Sequence, residues 1–187
     1  MKPLNKNAIS ELNKQFDFYD FNAFRGHKNI QIVFAEDFGV VRFGDLEYGA
    51  NLNDYQIREN LLCEFVLRSI SHFLDRELVL KKYEEKWVVN KKLSQELYKE
   101  LEKNHVDKNV AAISLDKDSP WIKLFIEAAL KYNSFFEFLF PLEKIVLTLT
   151  DHMDIFISTE NSANFQWIED IIEEINQGEK VFTIIEL

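Results

Sequence analysis

The sequence predicts an α+β fold in one domain, residues 1–187, with mostly antiparallel strands packed with about five helices. Three observations predict it. An apolar pattern of helical spacing runs from about Asp54 to Glu77 and marks a central helix. Two short apolar runs, Ile145–Thr150 and Ile155–Ile157, flank the turn-forming string Asp151-His152-Met153-Asp154, as in an antiparallel hairpin. Only 5 Gly and 3 Pro occur in 187 residues, so long regular elements with short connections are expected.

Taken in order, Pro3 suits the first position of a helix, and Leu4, Ala8, Leu12 and Phe16 recur every four residues behind it. Phe16 to Phe24 is rich in aromatic residues without a clear period, and Arg25-Gly26-His27-Lys28 reads as a basic turn. Ile30–Phe34 alternates like a strand. With the apolar run Phe38–Phe43 it predicts a hairpin near 30–43. The central helix near 54–77 carries Ile57, Leu61, Leu62, Cys63, Phe65, Val66, Leu67, Ile70, Phe73 and Leu74. Only a narrow stripe is left polar: Asn60, Glu64, Arg68, Ser71 and Asp75. A helix apolar on nearly all sides is one that other elements cover. Glu64 and Arg68 stand at i, i+4 with the acid first, the favourable order.

Residues 81–110 hold 8 Lys against 6 acids. Within them Trp87-Val88-Val89 reads as a short strand, and Leu93, Leu97, Tyr98 and Leu101 as the apolar side of a helix. Val110–Leu115 reads as another strand. Ser119-Pro120 opens a helix whose buried side is Trp121, Leu124, Phe125, Ala128 and Ala129. After the hairpin near 145–157, Asn161 or Ser162 can cap a helix carrying Phe165, Ile168, Ile171, Ile172 and Ile175. Gly178 lies near its C-terminal cap, and a strand closes the chain at 181–185.

Apolar residues make up 47% and charged residues 29%, values of a folded globule. No apolar run approaches the roughly 18 residues that cross a bilayer, and the first residues lack the apolar core of a signal peptide. Cys63 is the single cysteine, so no internal disulfide can form and a cytoplasmic setting is expected. The net charge of −10 is unevenly spread. Residues 113–187 hold 14 acids and 5 Lys, whereas residues 1–112 hold 18 acids and 17 bases. Such a surface repels nucleic acid and anionic lipid and attracts cationic proteins.

Chemistry-bearing motifs are sparse. No P-loop, dinucleotide fingerprint or nucleophile elbow occurs, and one cysteine excludes the usual cysteine-based zinc spacings. His27, His72, His105 and His152 form no pair at i, i+3 or i, i+4. Asp151-His152-Met153-Asp154 is the most metal-like string, yet Asp is also a good turn former. Cys63 and His72 lie about 13 Å apart along their helix, too far for a dyad. No catalytic residue, metal or cofactor is expected from these patterns.

The last helix carries the most informative conflict. Opposite its isoleucines stand Gln166, Glu169, Asp170, Glu173, Glu174 and Gln177. Glu169 with Glu173, and Asp170 with Glu174, are like-charge pairs at i, i+4, each costing roughly 0.2–0.5 kcal/mol. No Lys or Arg on the helix offsets them. Solvent, the lysines of 81–110 or a basic partner could compensate. The expectation is a non-catalytic protein-binding module with Glu169, Asp170, Glu173 and Glu174 as its acidic face. In concrete form it is an immunity or antitoxin-type inhibitor of a basic, nucleic-acid-processing toxin, itself binding neither nucleic acid nor membrane. The alternatives are an enzyme with a site assembled from His27, Asp151, His152 and Asp154, or a structural scaffold.

Overall fold

The computed structural model describes residues 1–21, 23, 25–73, 76–160 and 165–187. Among them the strands are β1 (Lys2–Pro3), β2 (Lys28–Phe34), β3 (Glu77–Lys82), β4 (Ala112–Asp116), β5 (Phe136–Phe140), β6 (Ile145–Leu149), β7 (Ile155–Thr159) and β8 (Phe182–Glu186). The α-helices are α1 (Lys6–Gln15), α2 (Leu52–His72), α3 (Gln95–Lys103), α4 (Trp121–Leu130) and α5 (Gln166–Asn176), with a 3-10 helix at Phe43–Tyr48. All eight strands join one open antiparallel sheet in the order β1-β4-β3-β5-β6-β7-β2-β8. The α+β class read from the sequence is the class observed.

Alternation along the strands gives the sheet two unlike faces. On one, Ile30, Ile32, Phe34, Leu78, Leu80, Phe136, Phe138, Phe140, Leu147 and Ile157 share a continuous core with α2, α3, α4 and α5. On the other, Val79, Ala112, Leu139 and Val146 are covered by Leu12 of α1 and by Phe16, Phe18 and Tyr19. The helix α2 lies in the larger core: Leu62, Phe65 and Val66 are fully buried and Ile70 nearly so. Burying one such side chain is worth about 1.5–3 kcal/mol, so α2 is a principal source of stability.

Several local expectations change. The segment 30–43 is not a hairpin. Both edges of β2 are taken, by β7 on one side and β8 on the other, so Phe38–Phe43 has no edge to pair with. Phe38 instead stacks on Phe34, and Arg58 donates hydrogen bonds to the carbonyls of Phe38 and Gly39. Pro3 lies in β1 against β4, and α1 starts later, capped by Asn5, whose side chain accepts from Ala8 N at 2.9 Å. The central helix ends at His72, and Glu77 opens β3. Its apolar girdle is also incomplete, since Ile57 and Leu67 are exposed. Leu74 and Asp75, and the expected caps Asn161 and Ser162, lie outside the described residues.

Trp87-Val88-Val89 is not a strand. It belongs to an irregular segment, 83–94, pinned by buried polar groups behind it. Asn133 accepts from Asn90 N at 2.6 Å and donates to Asn90 O at 3.0 Å and to Ser94 Oγ at 2.7 Å. Ser134 Oγ donates to Trp87 O at 2.5 Å. The hairpin near 145–157 is present as β6 and β7, and the closing strand as β8.

Candidate functional site

The helix α5 is fastened by Trp167, Ile168, Ile171 and Ile172, all buried. The remaining side of the helix therefore turns outward, and Glu169, Asp170, Glu173 and Glu174 are all exposed. Compensation comes from a source not foreseen in the sequence. Arg68 of α2 donates to Glu64 Oε1 at 2.7 Å from one nitrogen, while its other terminal nitrogen pairs with Glu174. Glu169 accepts from Gln166 Nε2 at 3.0 Å. Among the described residues no lysine of 81–110 forms an ion pair with α5, and Glu169, Asp170 and Glu173 have no cationic partner. Beside the acids a groove of about 610 Å³ runs between α2 and α5, lined in part by Leu67, Arg68, His72, Ile171 and Glu174. Its two carboxylates, Glu64 and Glu174, are both paired with Arg68, and Lys123 also lines it, so the groove itself is not acidic; the carboxylates without a cationic partner, Glu169, Asp170 and Glu173, stand on the outer side of α5.

A second cluster lies under α1. Glu137 of β5 is 1% exposed and stands in register with Lys81 of β3. The Tyr19 hydroxyl donates to Glu137 Oε1 at 2.8 Å, with the buried Thr148 of β6 close by. Lys81 Nζ donates to Asn13 Oδ1 at 3.0 Å and sits 3.0 Å from the centre of the Phe21 ring. Burial pushes the Glu137 carboxyl up to about 7, against the opposing pull of Tyr19 and Lys81. Burial likewise lowers the Lys81 ammonium to about 8. Tyr19 and Tyr83 are both raised, first by burial and then by the Glu137 charge. A carboxyl so tuned could move a proton at neutral pH, but at 1% exposure no substrate reaches it in this arrangement. Its observable role is to fasten the segment after α1 to the sheet. No signal in the sequence singles out Glu137, because its partners come from elements far along the chain.

A third feature is a cleft of about 630 Å³ between residues 86–91 and the stretch 98–108. Trp87, Leu101 and Val106 floor it, and Lys86, Lys91 and Lys108 stand at its rim.

The remaining sequence candidates do not converge. His27 precedes β2 at the end where Lys28 pairs with Thr159, whereas Asp151, His152 and Asp154 precede β7 at the opposite end of that ladder. Five residues of extended chain, about 17 Å, separate the two ends. Asp154 is held by its neighbours: it accepts from Gln31 Nε2 at 2.6 Å and from the Thr150 hydroxyl. Residues 151–154 are a turn, with Met153 buried beneath. Among the described residues no three His, Cys, Asp or Glu side chains gather as a metal would require. Cys63 is buried, and burial followed by the Glu59 charge pushes its thiol up to about 12, so it is no nucleophile at neutral pH. His72 is exposed and stacks on Trp167 at 5.6 Å. Among the described residues no helix is long and apolar enough to cross a membrane.

Comparison with protein-family models, with curated proteins and with solved structures gave no match.

Proposed function

We propose that the chain is a non-catalytic protein-binding module that uses the acidic face of α5 to hold a protein with a basic surface. In its concrete form it is a cytoplasmic inhibitor of the immunity or antitoxin type, and its partner is a cationic, nucleic-acid-processing toxin. The observation that carries the reading is that Glu169, Asp170 and Glu173 stand exposed on a rigidly packed helix with no cationic partner among the described residues. Like charges held at i, i+4 cost the free domain energy, and a cationic partner returns it. Carboxylates on a fixed scaffold also steer a basic protein into encounter without any catalytic group.

The test is co-purification from the native host, followed by affinity measurement with the identified partner between about 50 and 300 mM salt. The reading expects a partner with a basic surface, affinity that falls as salt rises, and weaker binding by the Glu169→Gln/Asp170→Asn/Glu173→Gln variant. A partner whose affinity ignores both salt and the variant removes the acidic face from the interface.

A further inference from the structure

In a chain of net charge −10, the cleft of about 630 Å³ beside α3 has the opposite sign. Its lining contains Lys86, Lys91 and Lys108 against Glu102 and Asp107. The three lysines outnumber the two carboxylates, and each carboxylate accepts a hydrogen bond within the wall: Glu102 from the Tyr98 hydroxyl, and Asp107 Oδ1 from Asn109 N at 2.7 Å. Lys91 is engaged with Tyr98, both at its hydroxyl and over its ring. Among the described residues the Lys86 and Lys108 ammonium groups have no partner.

The walls are held in place. One is the irregular segment 83–94, whose backbone is fixed by Asn133 and Ser134, 1% and 2% exposed. Lys82 Nζ ties the two walls together by donating to Glu85 O at 2.6 Å and to Lys108 O. The Trp87 indole N–H donates to Val110 O at 2.9 Å. Ordering a dozen residues without a strand ladder or helix carries a large conformational-entropy cost. A loop fixed in this way around an open cleft is pre-organised, the condition under which a small ligand binds without a further ordering cost. The volume also falls within the roughly 300–1,000 Å³ of small-molecule sites.

We propose that this cleft binds a small anionic molecule with a flat apolar body, an aromatic carboxylate in chemical class, its charge set between Lys86 and Lys108 and its ring on the Trp87–Leu101–Val106 floor. The apolar floor separates the candidates, since inorganic phosphate has no body to cover it whereas an aromatic carboxylate uses both the floor and the ammonium groups. The inference is independent of the acidic-face reading.

The experiment titrates naphthoate into the isotope-labelled chain, residues 1–187, and follows the amide resonances of 86–91 and 98–108. Naphthamide, inorganic phosphate and the Lys86→Gln/Lys108→Gln variant serve as comparisons. Both lysines are exposed, so the variant should fold, and the spectrum itself confirms that it has. The expected result is saturable shifts confined to the cleft, with naphthamide, phosphate and the double variant each weaker by about tenfold or more, a factor worth 1.4 kcal/mol. Four results would overturn the proposal: no saturation at millimolar naphthoate, equal binding of naphthamide or phosphate, an unchanged affinity in the double variant, or shifts that map elsewhere.

Discussion

Tyr19 and Glu137 are joined by a 2.8 Å hydrogen bond that spans 118 residues of sequence and fastens the aromatic segment after α1 to the middle strands of the sheet. The bond is buried, and so is most of what surrounds it. Lys81 and Tyr83 from the β3 side, Thr148 from β6, and Asn13 and Phe21 from the covering segment complete the environment. The carboxyl therefore responds to pH through its burial rather than through a single strong partner.

The first prediction follows from that response. The Glu137 carboxyl is raised to about 7 in the fold, above its unfolded value. Its stabilising contribution is thus fully present below the unfolded value of about 4.3 and is lost as pH rises through about 7. Lys81, lowered to about 8, contributes in the opposite sense: its share is present above its unfolded value and lost as pH falls through about 8. Near pH 7–8 both groups bear charge at a burial cost. Glu137→Gln keeps an oxygen for Tyr19 and removes the titration. Wild type should lose on the order of 2 kcal/mol relative to this variant between pH 5 and pH 8. Parallel urea-unfolding curves for the two proteins across that window would show instead that Glu137 stays ionised throughout.

The second prediction concerns α2. Phe65 is fully buried and meets Phe182 of β8 edge-on at 5.9 Å. Phe65→Ala should cost ~3–5 kcal/mol. Ile57 on the same helix is 43% exposed, and Ile57→Ala should cost less than about 1 kcal/mol. Equal losses in the two variants, measured by denaturant unfolding, would mean that α2 does not sit in the core as described.

These two variants also mark how far the sequence could be read. The helical period of α2 and the β6–β7 hairpin were legible because each has a pattern of its own: Leu62, Phe65, Val66 and Ile70 recur at helical spacing, and Asp151–Asp154 supplies turn chemistry. β3 was not legible, because Leu78, Val79 and Leu80 continue the apolar character of α2 without a Gly or Pro before them. β5 was hidden for a different reason. All five of its residues are buried, including Glu137, so it shows no alternation. The acidic face of α5 could be read from local spacing. Its partial neutralisation by Arg68 could not, because that depends on how α2 lies against α5. The cleft was equally hidden, since Trp87-Val88-Val89 looks like a strand until Asn133 and Ser134 are seen to hold it as a loop.

A third prediction tests that loop. Asn133 satisfies Asn90 N, Asn90 O and Ser94 Oγ at once. Asn133→Ala leaves those groups unpaired and should cost about 1–3 kcal/mol. The loss should be local as well as global, with faster amide exchange at Asn90 and reduced filling of the neighbouring cleft by any ligand found for it. Unchanged exchange there would show that the loop holds its shape without Asn133.

The last prediction returns to α5, where the arrangement of charges separates two neighbouring acids. Glu173 has no cationic partner among the described residues and repels Glu169 one turn back, whereas Glu174 shares Arg68 with Glu64. Glu173→Gln should therefore raise stability by a few tenths of a kcal/mol, the reverse of the i, i+4 repulsion it relieves. Glu174→Gln should leave stability close to unchanged, because relief of its repulsion with Asp170 offsets the loss of an exposed, solvent-screened pair with Arg68. Against a basic partner the order differs. Glu173→Gln removes a charge that is free to steer, so it should lower the association rate and flatten its dependence on salt more than Glu174→Gln does. Denaturant melts of the two single variants give the first comparison, and association kinetics at low and moderate salt give the second. A marked stability loss in Glu173→Gln would reveal a cation paired with that carboxylate inside the domain, and the acidic face would then be a structural device rather than a binding surface.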